Sequence, residues 1–313
     1  MRAIRIHRFG GGEAMRIEEL PTPRPGPGEV LVRIGAASVN PVDAKIRAGK
    51  YPAVTAAMLP YTLGRDMAGV IEAVGPGIDE FNPGDAVFGY LDIARGGYAD
   101  YVIATPAEVT PKPLSLGLVA AAAVPLAGLT AWQGLVEHGG LAPGQRVLIH
   151  GGAGGVGHFA IQFAKALGAW VATTVSAGDL DFARALGADL AIDYRAERFE
   201  DQVRDLDLVY DLIAGDTQER SWSVLKQGGM LVSTLTQPSV DKARAHGVRG
   251  LRYTAQPNAE QLMGIGRLID QGKVRVTVAK IFPLVEAQAA QDYLDSAHVR
   301  GKIVLAINQG SAR

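Results

Sequence analysis

Residues 151–157 read Gly-Gly-Ala-Gly-Gly-Val-Gly and place the spacing G-x-G-x-x-G at Gly152, Gly154 and Gly157. Such spacing is weak evidence alone. Here it follows a short apolar run, Arg146–His150, and opens a segment of helical pattern over 156–167, which is the context its chemistry requires. Residues without side chains let the backbone turn tightly and approach a pyrophosphate. The helix that follows offers free N–H groups and a partial positive charge. Gly152, Ala153, Gly154, Gly155 and Val156 are therefore the candidate pyrophosphate contacts.

A protein that binds NAD by such a turn places an acidic residue about 20 residues further on, against the ribose 2′-hydroxyl. That point here is Val175-Ser176-Ala177, with no carboxylate; Asp179 and Asp181 follow and are expected to start the next helix. A carboxylate beside the 2′-phosphate of NADPH would repel it by about 4 kcal/mol per close charge pair in a screened site. Ser176 avoids that repulsion and offers a hydroxyl, so NADPH is expected, with NADH less favoured. No Arg or Lys adjoins Ser176, and the positive charge would come from Arg195 or Lys302.

Other chemistry is narrowed by what is missing. The chain has no cysteine, which removes disulfides, thiolate metal sites and a cysteine nucleophile. The six histidines form no ligand spacing, and His150, next to the glycine run, reads as a packed strand-end residue. A net charge of −1 gives no general field for nucleic acid or an anionic membrane. No apolar run nears the roughly 20 residues of a membrane span. No signal-peptide pattern opens the chain, so a cytoplasmic location is expected.

The elements that must position these residues follow from pattern. At 313 residues, two domains are expected. The first hundred residues read as short strands and turns, with strands at Arg2–Ile6, Met15–Glu19, Val30–Val39, 69–74, Ala86–Tyr90 and 98–103. Residues 115–135 are Ala/Leu-rich and helix-compatible. Strands at Arg146–His150, Trp170–Val175, 191–193, 206–212 and 230–235 then alternate with helix-compatible segments, including 179–186, 195–204 and 217–225. That alternation implies a parallel sheet with helices on both faces. The tail reads as helices over 260–271 and 285–296 and strands over 280–284 and 302–307. These elements would complete the N-terminal β-rich domain, so the expected division is 1–120 plus 259–313, with 121–258 between them.

The motifs Asn40-Pro41-Val42-Asp43, Gly64-Arg65-Asp66-Met67-Ala68-Gly69, Gly84-Asp85-Ala86-Val87-Phe88-Gly89, Leu129-Thr130-Ala131-Trp132 and the glycine run occur in this order. Together they resemble the quinone oxidoreductase (zeta-crystallin-like) branch of the medium-chain dehydrogenase/reductase family, over essentially the whole chain. The resemblance implies an α/β fold: a GroES-like β-rich catalytic domain with an inserted Rossmann domain, commonly assembled as dimers or tetramers. The zinc enzymes of that family carry Cys where this chain has Asn40 and Gly-His-Glu where it has Gly64-Arg65-Asp66. An amide is a poor zinc ligand and Arg65 would repel the cation, so no zinc is expected.

Without a Lewis acid, the favourable acceptor is already electron-poor: a quinone or an α,β-unsaturated carbonyl. The resemblance places Asn40 and Tyr51 at the mouth of the active-site cleft, as candidate catalytic residues, with Asn40 also toward the cofactor. Thr130, expected at the start of a helix, would hold the nicotinamide carboxamide. Ser176 and Tyr194 would lie at the 2′-phosphate end. Leu212 and Ile213 would flank the cleft or be ordinary sheet core. Asp66 and Asp43 read as structural, paired with a cation such as Lys45 or Arg65. Loops over 47–63 and 253–258 would wall the pocket, and residues 251–255 are a candidate edge for a homodimer. Two alternatives stay open. One is another zinc-free medium-chain reductase, acting on enoyl thioesters or on alcohols and aldehydes. The other is an NADPH-binding regulatory or RNA-associated protein with little turnover.

Overall fold

A computed structural model describes residues 1–308. The chain divides into two compact units. Among the described residues, one comprises 1–126, 257–270 and 276–308; the other comprises 127–256 and 271–275. The second thus interrupts the first in sequence.

The first unit is built on Val30–Val39, a ten-residue strand buried along nearly its whole length. It pairs antiparallel with Asp66–Val74, Tyr101–Ala104 and Lys302–Ala306. The sheet continues through Ala86–Tyr90 to Val109–Pro111 on one side, and through Lys302–Ala306 to Val278–Pro283 on the other. A separate three-stranded sheet joins Met15–Glu19, Arg2–Ile6 and Tyr61–Thr62. The apolar interior includes Ile34, Ile71, Leu63 and Met67, all fully buried. The tail therefore returns to the N-terminal β unit: Ile303 pairs with Val39 and Leu305 with Ala37.

The second unit holds six parallel strands. Counted along the chain they are Arg146–His150, Trp170–Val175, Leu190–Asp193, Leu206–Asp211, Leu225–Ser233 and Arg249–Arg252. Their order across the sheet is third, second, first, fourth, fifth, sixth. This is the doubly wound dinucleotide-binding arrangement, whose ligand crevice lies at the carboxyl ends of the strands where the order reverses. The reversal falls at Arg146–His150, the strand that feeds the glycine run. Valine, leucine and isoleucine fill these strands because both faces are covered.

Local boundaries depart from the pattern reading in informative places. Residues 195–204 form only the single turn Phe199–Gln202. Leu225–Ser233 begins five residues earlier than its apolar core, because Lys226, Gln227 and Gly228 extend it outward as exposed residues. Among the described residues no helix is long and apolar enough to cross a membrane.

Candidate active site

The glycine turn is shaped by what each position can hold. Gly151 has φ +77°, the left-handed region that favours glycine. A Cβ on Gly152 would lie 2.1 Å from the Thr173 hydroxyl, and one on Gly157 would lie 2.2 Å from the Gly151 carbonyl. Those two glycines are required by the protein's own packing. Gly154 differs: its Cβ would meet only the Gly151 carbonyl, at 3.5 Å. The space before Gly154 is open, at the start of the ten-residue helix Gly157–Ala166. An open cradle of backbone at a helix N-terminus fits a pyrophosphate.

Ser176 directly follows Trp170–Val175, and Tyr194 directly follows Leu190–Asp193; Val175 is paired with Asp193, so both residues stand at the same carboxyl edge. The Tyr194 N–H donates to the Val175 carbonyl at 3.1 Å. Tyr194 is half exposed, and Arg195 lays its guanidinium 5.5 Å from the centre of that ring. Asp179 is nearer to Ser176 than its sequence position implies. It is fully buried and accepts the Ser176 hydroxyl at 2.7 Å. Arg195 is thus the cation beside this edge. Lys302, the other expected source of charge, is buried and donates to Asn40 Oδ1 and the Val39 carbonyl, so its ammonium is committed there.

Ile213 is 52% exposed and its Cδ1 would lie 3.0 Å from a Cβ on Gly151, so it flanks the turn and is not sheet core. Leu212, next to it, is partly buried. The loop is held by Asp211, whose Oδ1 accepts the Ile213 and Ala214 N–H groups at 2.9 and 2.8 Å. Its Oδ2 accepts Gln218 Nε2 at 2.8 Å and the Ser233 hydroxyl at 3.0 Å. Thr130 lies in the last turn of Pro125–Trp132, not at a helix start. The Ala/Leu-rich run has no period that would mark Pro125 as the first residue.

His150 anchors the turn from below. Its ring is buried, 3.0 Å from the Thr174 hydroxyl at Nδ1 and 3.0 Å from the Ser221 hydroxyl at Nε2. Ser221 donates to the Thr217 carbonyl at 2.6 Å, so it must accept from Nε2–H. Thr174 in turn donates to Nδ1. Protonating Nδ1 would break this chain of hydrogen bonds. Burial also disfavours the imidazolium, and the pKa is lowered to about 4. The unfolded chain takes up a proton near pH 6.5 and the folded one does not, so this residue's contribution is lost as pH falls from about 6.5 to about 4. Wild type is expected to lose about 3 kcal/mol relative to His150→Asn between pH 7 and pH 4, read by urea unfolding. Parallel stability curves would contradict this.

In the first unit, Asn40, Asp43, Asp66, Ser38, Tyr98 and Lys302 form one buried polar cluster. Asn40 Nδ2 donates to Asp66 Oδ2 at 2.8 Å, and Lys302 Nζ donates to Asn40 Oδ1. Lys302 Nζ also donates to the Val39 carbonyl at 3.2 Å and lies 3.9 Å from Asp66 Oδ2. The Ser38 hydroxyl donates to Asp66 Oδ2, and the Leu126 N–H donates to Asp66 Oδ1 at 2.6 Å. Asp43 Oδ2 accepts the Asn40 N–H at 2.8 Å and the Tyr98 hydroxyl at 2.9 Å. Burial pushes the Asp43 carboxyl up to about 6, against the pull of those donors. Burial likewise lowers the Lys302 pKa, and Asp66 and Asp43 oppose it.

Asp66 and Asp43 are buried and hydrogen-bonded, and the cation within ion-pair distance of Asp66 is Lys302 and not Lys45 or Arg65. Arg65 points elsewhere: it donates to the Leu91 carbonyl at 2.9 Å and lies over the Tyr90 ring. Asn40 is 2% exposed, and both ends of its amide are engaged. Tyr51 is partly buried against the apolar core, beyond the helix Pro41–Arg47 that Asn40 begins. Among the described residues no group of three or more His, Asp or Glu side chains is placed to hold a metal ion. The Asn40 cluster sets an ammonium and an amide beside its two carboxylates.

A β-rich unit joined to a parallel dinucleotide-binding unit with this turn defines an NAD(P)H-dependent oxidoreductase. Residues 26–114 match the alcohol dehydrogenase GroES-like domain, and residues 186–305 match the zinc-binding dehydrogenase domain. The chain is 35% identical to 2-methylene-furan-3-one reductase of Solanum lycopersicum, over 97% of this chain and 79% of that protein. Two solved structures align over 98% of this chain. The quinone oxidoreductase from Coxiella burnetii has TM-score 0.91 and 36% identity, with 99% of its chain covered. The Escherichia coli quinone oxidoreductase complexed with NADPH has TM-score 0.88 and 30% identity, with 100% covered. The chain belongs to the medium-chain dehydrogenase/reductase family, among quinone oxidoreductases and alkenal reductases.

Proposed function

We propose that the protein is an NADPH-dependent reductase of quinones or α,β-unsaturated carbonyl compounds that works without zinc. The observation that carries this reading is Lys302. Its ammonium sits within the Asn40–Asp66 cluster, where a second cation would be repelled. An oxidoreductase lacking a Lewis acid is best matched to an acceptor that is already electrophilic. The names of the relatives, which cover quinones and a conjugated furanone, support that choice of substrate class.

In this reading Gly152, Ala153, Gly154, Gly155 and Val156 hold the pyrophosphate. Tyr194 and Arg195 lie at the 2′-phosphate end with Ser176, whose hydroxyl already donates to Asp179, and Arg195 supplies the charge. Thr130 meets the nicotinamide carboxamide, and Leu212 and Ile213 line the same dinucleotide site. The bound cofactor supplies a hydride from C4. On an enone the hydride would add at the β-carbon while the C=C electrons moved toward oxygen, and the α-carbon would then take its proton from water. The oxygen that gains charge needs a hydrogen-bond donor. Tyr51 is assigned that role. Asn40, its amide already committed, starts the helix that leads to Tyr51.

The substrate partner is a small molecule, and nucleic acid and membrane play no part. A second copy of the chain is proposed to pair along Arg249–Arg252, which ends the order of the parallel sheet. Protein treated with chelator is expected to oxidise NADPH with 1,4-benzoquinone and with a short 2-alkenal, and NADH more slowly. Tight NADPH binding without turnover on either acceptor would overturn the reading.

A further inference from the structure

The helix Pro125–Trp132 does not stop at a cap. It continues as a wider π-type turn over Gln133–His138. A break of this kind has an identifiable cause, and a group inserted into the hydrogen-bond ladder is one. The inserted group is a phenol. The Tyr253 hydroxyl donates to the Thr130 carbonyl, while the Gly134 N–H is directed at the same hydroxyl. In an α-helix those two backbone groups, four residues apart, would bond to each other. The Tyr253 hydroxyl takes the Thr130 carbonyl and lies against Gly134.

Tyr210 completes the insertion. Its hydroxyl lies 2.9 Å from the Thr130 carbonyl and 2.6 Å from the Tyr253 hydroxyl. Gly134 makes room for both: a Cβ there would lie 2.5 Å from the Tyr210 ring and 2.6 Å from the Tyr253 hydroxyl. Burial raises the pKa of each phenol, so both remain protonated and able to donate. A second tether lies alongside. Gln133 Nε2 donates to the Gln256 carbonyl at 2.9 Å, and the Gln256 N–H donates back to Gln133 Oε1 at 3.0 Å. Trp132 meets Phe163 edge-on at 5.6 Å, on the helix that follows the glycine turn. Residues 253–258, expected from sequence to wall a pocket, begin with the buried Tyr253, whose hydroxyl meets Thr130.

We propose that Tyr253, aided by Tyr210, is a positioning residue: its inserted hydroxyl sets where Thr130 meets the nicotinamide end of the cofactor. This rests on the assignment of Thr130 to the nicotinamide carboxamide. The consequence is selective, because the glycine turn and the Ser176 edge are held by other bonds. Removing the hydroxyl disturbs recognition of the nicotinamide and leaves recognition of the adenosine half intact.

The test is Tyr253→Phe in the full chain, with NADPH and 2′-phospho-ADP-ribose titrated in parallel by calorimetry. The second ligand has the same adenosine, 2′-phosphate and pyrophosphate but no nicotinamide. NADPH affinity is expected to fall about tenfold, with a matching fall in kcat, while 2′-phospho-ADP-ribose binds within about twofold of wild type. Equal losses for both ligands, or no loss for either, would overturn the proposal. Thr130→Val separates the two levels of the argument. If that variant keeps the wild-type gap between the ligands, the assignment of Thr130 fails and the proposal with it. If it narrows the gap and Tyr253→Phe does not, only the positioning role fails. Should Tyr253→Phe not fold, Tyr210→Phe carries the same comparison, with a selective loss of about threefold expected and an unselective one contradicting it.

Discussion

Replacing Lys302 by Met is expected to destabilise the first unit by about 3–5 kcal/mol, the cost of leaving a buried charge without its partner. Lys302 is 4% exposed and Asp66 fully buried, so water cannot substitute for the lost ammonium. Asp66 would keep Ser38, Asn40 and the Leu126 N–H but lose its counter-charge. Asn40 Oδ1 would lose its donor. Asp43, already pushed up to about 6 by burial, would rise further, because Lys302 is one of the groups holding it down. The double variant Asp66→Asn with Lys302→Met removes both charges and is expected to recover at least half of the loss. Urea unfolding followed by far-UV circular dichroism measures all three proteins. A loss below about 1 kcal/mol in the single variant would show that the cluster is not held by this charge.

Gly154→Val is expected to leave stability nearly unchanged and to weaken NADPH about 10- to 100-fold, the equivalent of roughly 1–3 kcal/mol of overpacking. A side chain at Gly154 points into the open space before the turn and meets only the Gly151 carbonyl, at 3.5 Å. The same space would receive the pyrophosphate. Gly157→Ala is the opposite case. Its Cβ would lie 2.2 Å from the Gly151 carbonyl and 2.7 Å from the Gly152 Cα, so the turn itself must deform. That variant is expected to lose both stability and binding. Thermal melting with and without NADPH distinguishes the two. A Gly154→Val protein that binds NADPH like wild type would remove the turn from the cofactor site.

The glycine turn and the alternating strands were legible because their signals are local: a fixed spacing, an apolar run before it, a helical period after it. The return of the tail to the N-terminal sheet was legible from its strand pattern at 302–307. The buried cluster was not. Lys302 lies 262 residues from Asn40 and looks like any lysine at the start of a strand; only the pairing of Ile303 with Val39 brings them together. The same blindness sent Lys302 to the 2′-phosphate in the pattern reading. Thr130 was placed at a helix start because an Ala/Leu-rich run has no polar face to phase it. Tyr210 reads as a strand aromatic and Tyr253 as the start of a pocket-wall loop, and nothing in their neighbourhoods marks hydroxyls that meet the Thr130 carbonyl. Asp179 does start a helix, as the N-cap of Leu180–Ala185, but nothing local in the sequence shows that its carboxylate also takes the Ser176 hydroxyl.

The central claim is hydride transfer from NADPH to an electron-poor carbon without a metal. The direct measurement gives chelator-treated protein [4,4-²H₂]NADPH and a short 2-alkenal, and locates deuterium in the product by NMR. The expected result is a saturated aldehyde with deuterium at the β-carbon. Deuterium at the carbinol carbon of an allylic alcohol, or transfer that appears only when zinc is restored, would contradict the account.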